Sequence, residues 1–240
     1  VSWSRGLGDV YKRQVENTKN NTQKYSSNGC IGDNEYFKNN LPCGLRKRRN
    51  LWSSSSSRYL EKWLNDMKQI PKHILECAKR IKYLFLDVDG VLTDGKLYFG
   101  KSGEELKVFN VKDGQGIRLL QDKGIKVGII SARKSDIVTQ RANELDISPI
   151  FQGEKDKASK LQEFIISQSL KLNQIAFLGD DLPDLRTIKM VGLGLCVADS
   201  SEQVIKSAAW KTENNGGHGA VREVAELILT AQEKLSSSLD

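Results

Sequence analysis

The chain has 240 residues, which is enough for one domain of ordinary size with or without an appendage. Its net charge of +7 is unevenly distributed: residues 1–82 carry 17 Lys+Arg against 7 Asp+Glu, whereas residues 83–240 carry 20 against 23. The four cysteines show no metal-ligand spacing, and no apolar run approaches the roughly 20 residues that span a bilayer. These features argue against a cysteine-based metal site and a membrane protein, and they predict a soluble, unexported, cytoplasmic protein.

Residues 1–57 have no persistent helical or strand periodicity, and their Asn-rich and Ser-rich stretches predict disorder. The opening Val1–Gln14 resembles a spurious leader found in front of many translated sequences, so we expect part of this tail to be non-native. The basic run Arg46–Arg49 is able to touch phosphates or act as an import signal. A solvated charge run is the simpler interpretation, and we do not expect nucleic-acid binding, because no aromatic or groove-reading pattern accompanies the run.

Order is predicted to begin with a helical lead-in over 58–80, in which an amphipathic helix is followed by a second helix that opens after Pro71. Over residues 81–240, apolar strands alternate with helical patterns, which predicts an α/β fold with a Rossmann-like parallel sheet sandwiched by helices. The predicted strands are Tyr83–Asp87, Lys126–Ser131, Ile150–Gln152, Gln174–Leu178 and Gly192–Val197. The predicted helices are Gln115–Lys123, Ser135–Leu145, Lys155–Ser169, Asp181–Met190, Ser201–Ser207 and Ala220–Leu235. Two extended runs, Lys96–Phe99 and Glu104–Phe109, predict a β-hairpin after the first strand.

Two carboxylates follow directly on the first strand. Because alternate side chains of a strand point the same way, we expect Asp87 and Asp89 to project together at the carboxyl end of the sheet, where open α/β sheets bind ligands. One carboxylate can act as a nucleophile and the other as a proton donor and acceptor, while a hard divalent cation neutralises the pair. The alternative is an ordinary turn at Asp89, since Asp and Gly are common turn residues.

Further strand ends and helix entries carry candidate ligands for phosphate or metal. Ser131 ends a long apolar strand with a hydroxyl that, together with free backbone N–H groups, can hold a phosphoryl oxygen. Lys157, in a loop that enters a helix, can reach a phosphate as a point charge. Another apolar strand ends in acids, where Asp180 can supply an oxygen to Mg²⁺, with Asp181 and Asp184 nearby. Capping of the following helix is a competitive account of Asp184.

In this order and at these spacings, the motifs resemble those of the haloacid dehalogenase superfamily of phosphotransferases. The resemblance covers about residues 80–235, and it is closest to the phosphatases that act on 3-deoxy-D-manno-octulosonate 8-phosphate in lipopolysaccharide sugar synthesis. The segments that carry it are Asp87–Gly95, Phe109–Ile117, Ser131–Val138, Gln152–Lys157 and Gly216–Glu223. One departure is Ala132, which stands where the family often has a glycine next to the phosphate.

The resemblance implies a Mg²⁺-dependent phosphomonoesterase that works through an aspartyl-phosphate intermediate. Asp87 would be the nucleophile, and Asp89 would be the general acid and base. Ser131 and Lys157 would bind the transferring phosphoryl group. The implied holders of Mg²⁺ are Asp87, the backbone carbonyl of Asp89 and Asp180, with Asp181 and Asp184 in support.

The short spacing between the motifs leaves no room for a large cap domain. The resemblance implies that the site is closed instead in a homotetramer, with the hairpins packed together and a neighbouring subunit lending its tail. Arg133 and Arg141 would then meet the carboxylate of a sugar acid. Gly216, Gly217 and Arg222 would belong to a mobile segment over the substrate. A plain loop before the last helix accounts for the two glycines equally well.

Two alternatives of different classes stay open. One is a phosphatase for nonulosonic (sialic) acid 9-phosphates, which the motifs do not distinguish. The other is a non-catalytic oligomerisation domain, related to that of sialic acid cytidylyltransferases. The presence of Asp87, Asp89, Lys157 and Asp180, and the lack of a preceding cytidylyltransferase domain in this sequence, favour an active phosphatase.

Overall fold

The computed structural model describes residues 70–101 and 103–235. Its main feature is a six-stranded, wholly parallel sheet with the strand order β5-β4-β1-β6-β7-β8, and a separate antiparallel pair, β2 and β3. The strands are β1 (Tyr83–Leu86), β2 (Tyr98–Gly100), β3 (Gly103–Leu106), β4 (Lys126–Ser131), β5 (Ile150–Gln152), β6 (Ile175–Gly179), β7 (Leu193–Cys196) and β8 (Trp210–Lys211). The predicted parallel α/β architecture is confirmed.

Helices cover both faces of the sheet. They are α1 (Lys72–Ala78), α2 (Val111–Asp122), α3 (Asp136–Glu144), α4 (Lys157–Ser167), α5 (Leu185–Met190), α6 (Glu202–Ile205) and α7 (Ala220–Ala231). Because the side chains of β1 alternate between the faces, Leu84 and Leu86 pack into the apolar layer under α1, α2, α3 and α7, whereas Tyr83 and Phe85 pack into the layer under α4, α5 and α6. The central strand β1 is thus buried on both sides.

Several element boundaries differ from the sequence prediction for local reasons. Helix α2 begins at Val111, four residues before its predicted start, because the Asn110 side chain accepts a hydrogen bond from the Lys112 N–H at 2.8 Å and caps the helix. The helix predicted from Asp181 starts instead as a 3₁₀ turn at Leu182–Asp184, which contains a proline and precedes α5. Strand β8 was not predicted, since two residues are too short for a periodic signal.

Strands β2 and β3 form the two-stranded pair that follows β1. Tyr98 lies opposite Leu106, with a register shift between Tyr98 and Phe99. The segment that leaves β3 alternates in burial, since Leu106 is 50% exposed, Lys107 is 7% exposed and Val108 is 55% exposed. One side of this segment therefore faces outward with apolar groups while Lys107 points into the protein.

The predicted tail over 1–57, the basic run within it and the amphipathic helix predicted between 58 and 70 lie outside the described residues. The second lead-in helix is present as α1, directly after Pro71. Among the helices of residues 70–101 and 103–235, none is both long enough and apolar enough to cross a bilayer.

Candidate active site

The motifs that contain Asp87 and Asp180 meet at the carboxyl ends of two neighbouring strands. Leu86 of β1 pairs with Leu178 of β6, and the Asp87 N–H donates to the Leu178 carbonyl at 3.0 Å. Asp87 and Asp180 therefore leave adjacent strands at nearly the same height. The parallel sheet thus brings together two carboxylates that are 93 positions apart in the sequence.

A buried lysine joins two carboxylates at this edge. Lys157, at the start of α4, is 2% exposed, and its Nζ lies 2.8 Å from Asp87 Oδ2 and 2.6 Å from Asp184 Oδ1. Lysine is almost never buried unless it is paired, so these two ion pairs explain how Lys157 is accommodated. The lysine is held next to the carboxylate that the sequence marks as the nucleophile.

Three acidic side chains form a cluster that suits a divalent cation. Carboxylate oxygens of Asp87, Asp180 and Asp184 all lie within 4.8 Å of one another. The Gly90 backbone lies close to the Asp180 carboxylate, which only a residue without a side chain allows. Gly90 has φ +87°, and a Cβ at this position would lie 2.2 Å from Asp180 Oδ2. Oxygen donors of this kind are what Mg²⁺ prefers, so the residues present fit the metal.

Asp184 connects the acidic cluster to the backbone of Asp180. Its side chain is 1% exposed, accepts a hydrogen bond from the Asp180 N–H at 3.0 Å and makes no capping bond to α5. The capping alternative for Asp184 is therefore not what the structure contains. Asp181 is exposed, and its carbonyl accepts from the Asp184 N–H at 2.9 Å.

Burial and crowding of like charges change the protonation of this cluster. Burial, followed by the nearby Asp184, raises the pKa of Asp87 to about 7, although Lys157 opposes the change. Burial, followed by Asp87 and Asp184, raises the pKa of Asp180 to about 8. Burial by itself would lower the pKa of Lys157, but Asp87 and Asp184 outweigh it and the net change is upward. Carboxyl groups with such raised pKa values are typical of functional sites.

Asp89 lies between two cations that come from different elements. Lys107 Nζ donates to Asp89 Oδ1 in a short ion pair, and Arg133 Nε lies 3.4 Å from Asp89 Oδ2. Arg133 was a sequence candidate, whereas Lys107 was missed. Lys107 follows β3 in a segment with no strong local pattern, and only the period-two alternation with Leu106 and Val108 marks it as inward-facing.

Ser131 ends β4 beside β1 and is 3% exposed. Its Oγ accepts a hydrogen bond from the Arg133 N–H at 3.3 Å, and its carbonyl accepts from the Glu154 N–H at 3.0 Å. Since Leu86 pairs with Ile129, Ser131 stands two residues beyond the height of Leu86, close to the level at which Asp87 leaves the sheet. The loop that contains Arg133 is thus tied to the loop that leads into Lys157.

Gly216 and Gly217 lie directly against the loop that follows β1. A Cβ on Gly216 would lie 1.7 Å from the Gly90 carbonyl oxygen, and one on Gly217 would lie 2.6 Å from the Asp94 nitrogen. The Gly217 N–H donates to the Val91 carbonyl at 2.9 Å. Only residues without a side chain allow these two backbones to approach so closely.

A second residue that the sequence reasoning missed is Asp113, on α2. It is 1% exposed and accepts hydrogen bonds from the N–H groups of Gly219 at 3.2 Å and Arg222 at 2.9 Å, at the start of α7. Burial raises the pKa of Asp113, while these backbone donors oppose the rise. It lies in the Phe109–Ile117 segment that carries the family resemblance, but its role was not predicted, because its partners are more than one hundred positions away in the sequence.

The two remaining candidates have contacts away from the acidic cluster. Arg141, on α3, pairs with Glu144 at 2.8 Å and has its guanidinium carbon 6.0 Å from the centre of the Phe109 ring. Arg222 Nε lies 2.6 Å from an oxygen of Glu226 on the same helix. The structure therefore brings Arg133 to Asp89 but gives Arg141 and Arg222 other neighbours.

Comparison with known proteins assigns the chain to a family. The sequence pattern described as haloacid dehalogenase-like hydrolase matches residues 143–224. The 3-deoxy-D-manno-octulosonate 8-phosphate phosphatase of Yersinia pestis is 43% identical over 165 residues, which are 69% of this chain and 88% of that enzyme. The chain belongs to the family of 3-deoxy-D-manno-octulosonate 8-phosphate phosphatases, within the haloacid dehalogenase-like hydrolases.

Solved structures of this phosphatase family share the fold. The enzyme from Moraxella catarrhalis, in complex with magnesium ion, phosphate ion and a KDO molecule, is 40% identical with a TM-score of 0.69, covering 71% of this chain and 98% of that one. A probable YrbI family phosphatase from Pseudomonas syringae is 46% identical with a TM-score of 0.69, covering 70% and 96% of the two chains. The aligned part corresponds in length to the sheet and helices described above.

Proposed function

We propose that this chain hydrolyses 3-deoxy-D-manno-octulosonate 8-phosphate to the free sugar acid and inorganic phosphate, with Asp87 as the nucleophile. The observation that carries the proposal is the buried ion-pair arrangement in which Lys157 bridges Asp87 and Asp184 next to Asp180. A carboxylate, a fixed cation and a metal-binding cluster at one strand end are the parts that phosphoryl transfer requires. Membership in the phosphatase family supports the same reaction.

Two steps follow from the proposed roles. An Asp87 oxygen bonds to phosphorus as the bond to the sugar oxygen breaks, and Asp89 gives its proton to the departing oxygen. Asp89, now a carboxylate, then takes a proton from a water whose oxygen attacks the same phosphorus, which frees Asp87 and phosphate. Lys157, which pairs with Asp87, and Ser131, buried at the end of the neighbouring strand β4, would hold phosphoryl oxygens through both steps.

Mg²⁺ would be held by the Asp87 and Asp180 side chains and the Asp89 carbonyl, with Asp184 and Asp181 in support. When bound, it neutralises negative charge on the carboxylates and on the phosphoryl group. Asp184 would act indirectly, since one of its oxygens pairs with Lys157 and the other accepts from the Asp180 N–H. The raised pKa values of Asp87 and Asp180 agree with a site that is completed by a cation.

For the sugar acid, Arg133 is the better placed of the two arginine candidates. Its side chain is 43% exposed and lies beside Asp89, so it borders the position of the departing sugar oxygen. Arg141 would contribute only from the side of Phe109. For Gly216 and Gly217, the close contacts with the loop after β1 favour an anchored loop over a mobile segment. Arg222, paired with Glu226, would then keep that loop in place rather than touch substrate.

The test is phosphate release by the full chain from a panel of sugar phosphates, with Mg²⁺ and with a chelator. We expect a Mg²⁺-dependent preference for 3-deoxy-D-manno-octulosonate 8-phosphate, and no release by the matched Asp87→Asn protein. A preference for a nonulosonic acid 9-phosphate would keep the chemistry and replace the substrate. No release from any compound by a folded protein would contradict the phosphatase and favour a non-catalytic assembly domain.

A homotetramer is part of the proposal, and it is supported by an apolar surface on and around the hairpin. We name this surface the hairpin face; its exposed members are Leu97, Tyr98, Phe99, Leu106, Val108 and Val111. Large apolar side chains exposed on and around one short hairpin are the kind of surface that marks an interaction site. Light scattering should give about four times the 26.9 kDa chain mass. Phe99→Glu should lower that mass, whereas Ile166→Glu, at an exposed apolar position on α4, should not.

We also infer the reduced, cytoplasmic setting that cysteine usage indicates. Among the described residues, Cys77 and Cys196 are free thiols. Cell fractionation followed by thiol labelling would check the location and the redox state together, and a disulfide in the native protein would contradict it.

A further inference from the structure

Asp89 is held by a lysine that the sequence motifs do not include. The side chain of Lys107 is 1% exposed, and its ammonium donates to Asp89 Oδ1. The side chain of Asp89 is 21% exposed, so part of it is accessible to an incoming molecule. A buried ammonium is costly unless it is paired, and this ion pair is a specific reason for a lysine at this position.

The second cation on Asp89 is placed differently. Arg133 Nε is 3.4 Å from the other carboxylate oxygen, and its side chain is 43% exposed, against 1% for Lys107. An exposed ion pair is screened by water and contributes little, whereas a buried one is screened much less. Lys107 is therefore the contact that fixes the direction of the Asp89 carboxylate.

We propose that Lys107 is a positioning residue, which aims the Asp89 carboxyl group at the oxygen of the departing alcohol. This inference rests on the proposed function, in which Asp89 donates a proton to that oxygen as the P–O bond breaks. Proton transfer needs the donor within hydrogen-bond reach of the oxygen, so a rotated carboxyl group fails even when the nucleophile is intact. The Lys107 ammonium also faces the carboxylate that is left behind when the proton has moved.

Substrates with different leaving groups distinguish a positioning role of Lys107 from a merely structural one. A sugar alkoxide needs a proton to depart, whereas 4-nitrophenolate leaves without one, so positioning of Asp89 matters for the first substrate and not for the second. We would compare wild type and Lys107→Met in Mg²⁺, measuring kcat and KM for 3-deoxy-D-manno-octulosonate 8-phosphate and the first-turnover burst of 4-nitrophenol from 4-nitrophenyl phosphate. Steady-state turnover of 4-nitrophenyl phosphate is not the readout, because Asp89 also acts when the aspartyl-phosphate is hydrolysed.

We expect Lys107→Met to lower kcat for the sugar phosphate by about 100-fold or more, the range for general acid catalysis, with KM changed little. The burst of 4-nitrophenol should keep nearly its wild-type rate. Asp89→Asn should behave in the same way. The matched control is Lys96→Met, which removes an exposed lysine that pairs with Asp94 at 2.8 Å, and it should leave both reactions unchanged.

Equal losses for the sugar phosphate and the burst would overturn the proposal, because they indicate general damage to the site. Lys107→Arg keeps the charge but moves its position, so it tests the placement of the Asp89 carboxyl group even where the Met variant does not fold. We expect this variant to lower kcat for the sugar phosphate and to leave the burst of 4-nitrophenol nearly unchanged. If Asp89→Asn shows the leaving-group selectivity and both Lys107 variants do not, Lys107 has no positioning role while the proposed function stands. An inactive wild type with every phosphate would overturn both proposals together.

Discussion

The contact between Gly216 and Gly90 predicts that a methyl group added at Gly216 disables the active site, although Gly216 has no proposed catalytic role. In Gly216→Ala, the new Cβ would lie 1.7 Å from the Gly90 carbonyl oxygen, and real Cβ contacts are essentially never under 3.0 Å. The two backbones must therefore separate by roughly 1.3 Å in a closely packed region. Gly90 is adjacent to Asp89, so the displacement passes to the proposed acid.

A misplacement of about 1 Å typically costs on the order of 100-fold in rate, and overpacking costs about 1–3 kcal/mol of stability. We expect Gly216→Ala to lose about 100-fold in kcat/KM in a Mg²⁺-dependent phosphate-release assay while still folding. The matched control is Gly124→Ala, where the Cβ meets nothing within 4 Å but φ is +79°, so it costs about 1–2 kcal/mol with no loss of activity. Wild-type activity in a folded Gly216→Ala protein would refute the reasoning.

Four further predictions concern the acidic cluster. Asp87→Asn should abolish turnover with the fold intact, because the amide keeps the shape of the carboxylate and loses its nucleophilic charge; phosphate release and circular dichroism check this, and full activity would contradict it. Lys157→Met should lower the free energy of unfolding by about 3–5 kcal/mol, because it leaves buried carboxylates unpaired, and it should lower kcat by about 100-fold or more. Urea unfolding at pH 8 without metal measures the first effect, and steady-state kinetics measure the second. An unchanged unfolding midpoint would argue against the ion pairs. Because the pKa values of Asp87 and Asp180 are raised to about 7 and about 8, the metal-free folded chain retains protons that the unfolded chain releases near pH 4, so its stability should fall as pH rises toward 8. Mg²⁺ must displace those protons, so its dissociation constant should fall by about tenfold or more between pH 6 and pH 8 in calorimetric titrations, and a constant affinity would be inconsistent with the raised pKa values.

The parts of the site that the sequence predicted are those that stand at strand ends. Asp87 and Asp180 each follow an apolar strand, and a parallel sheet places both at the same edge. That their strands are neighbours is an observation of the structure. Ser131 and Lys157 were singled out at the end of a strand and the start of a helix, where the structure places them, and their binding of phosphate stays a prediction. Local pattern and sheet direction were enough for this group.

The parts that were missed depend on contacts between distant segments. Lys107 is 18 positions from Asp89 and lies in a segment where charged residues normally face water. Asp113 caps a helix that starts more than one hundred positions later. Gly216 was a candidate from the sequence, but its close contact with Gly90 was not predicted. Hydrophobic periodicity contains no information about which loops meet, so these residues become visible only in the folded chain.

The alternation of Leu106, Lys107 and Val108 has a consequence for how enzyme activity depends on dilution. Leu106 and Val108 belong to the hairpin face, and Lys107 between them reaches Asp89. Any subunit that packs on the outer two side chains also restrains the backbone from which Lys107 extends. Specific activity toward alkyl phosphates would then fall as the protein is diluted below its assembly threshold, while the first-turnover burst with 4-nitrophenyl phosphate would not. Subunit assembly would thus affect the proton donor, Asp89, because Lys107 stands between two residues of the hairpin face.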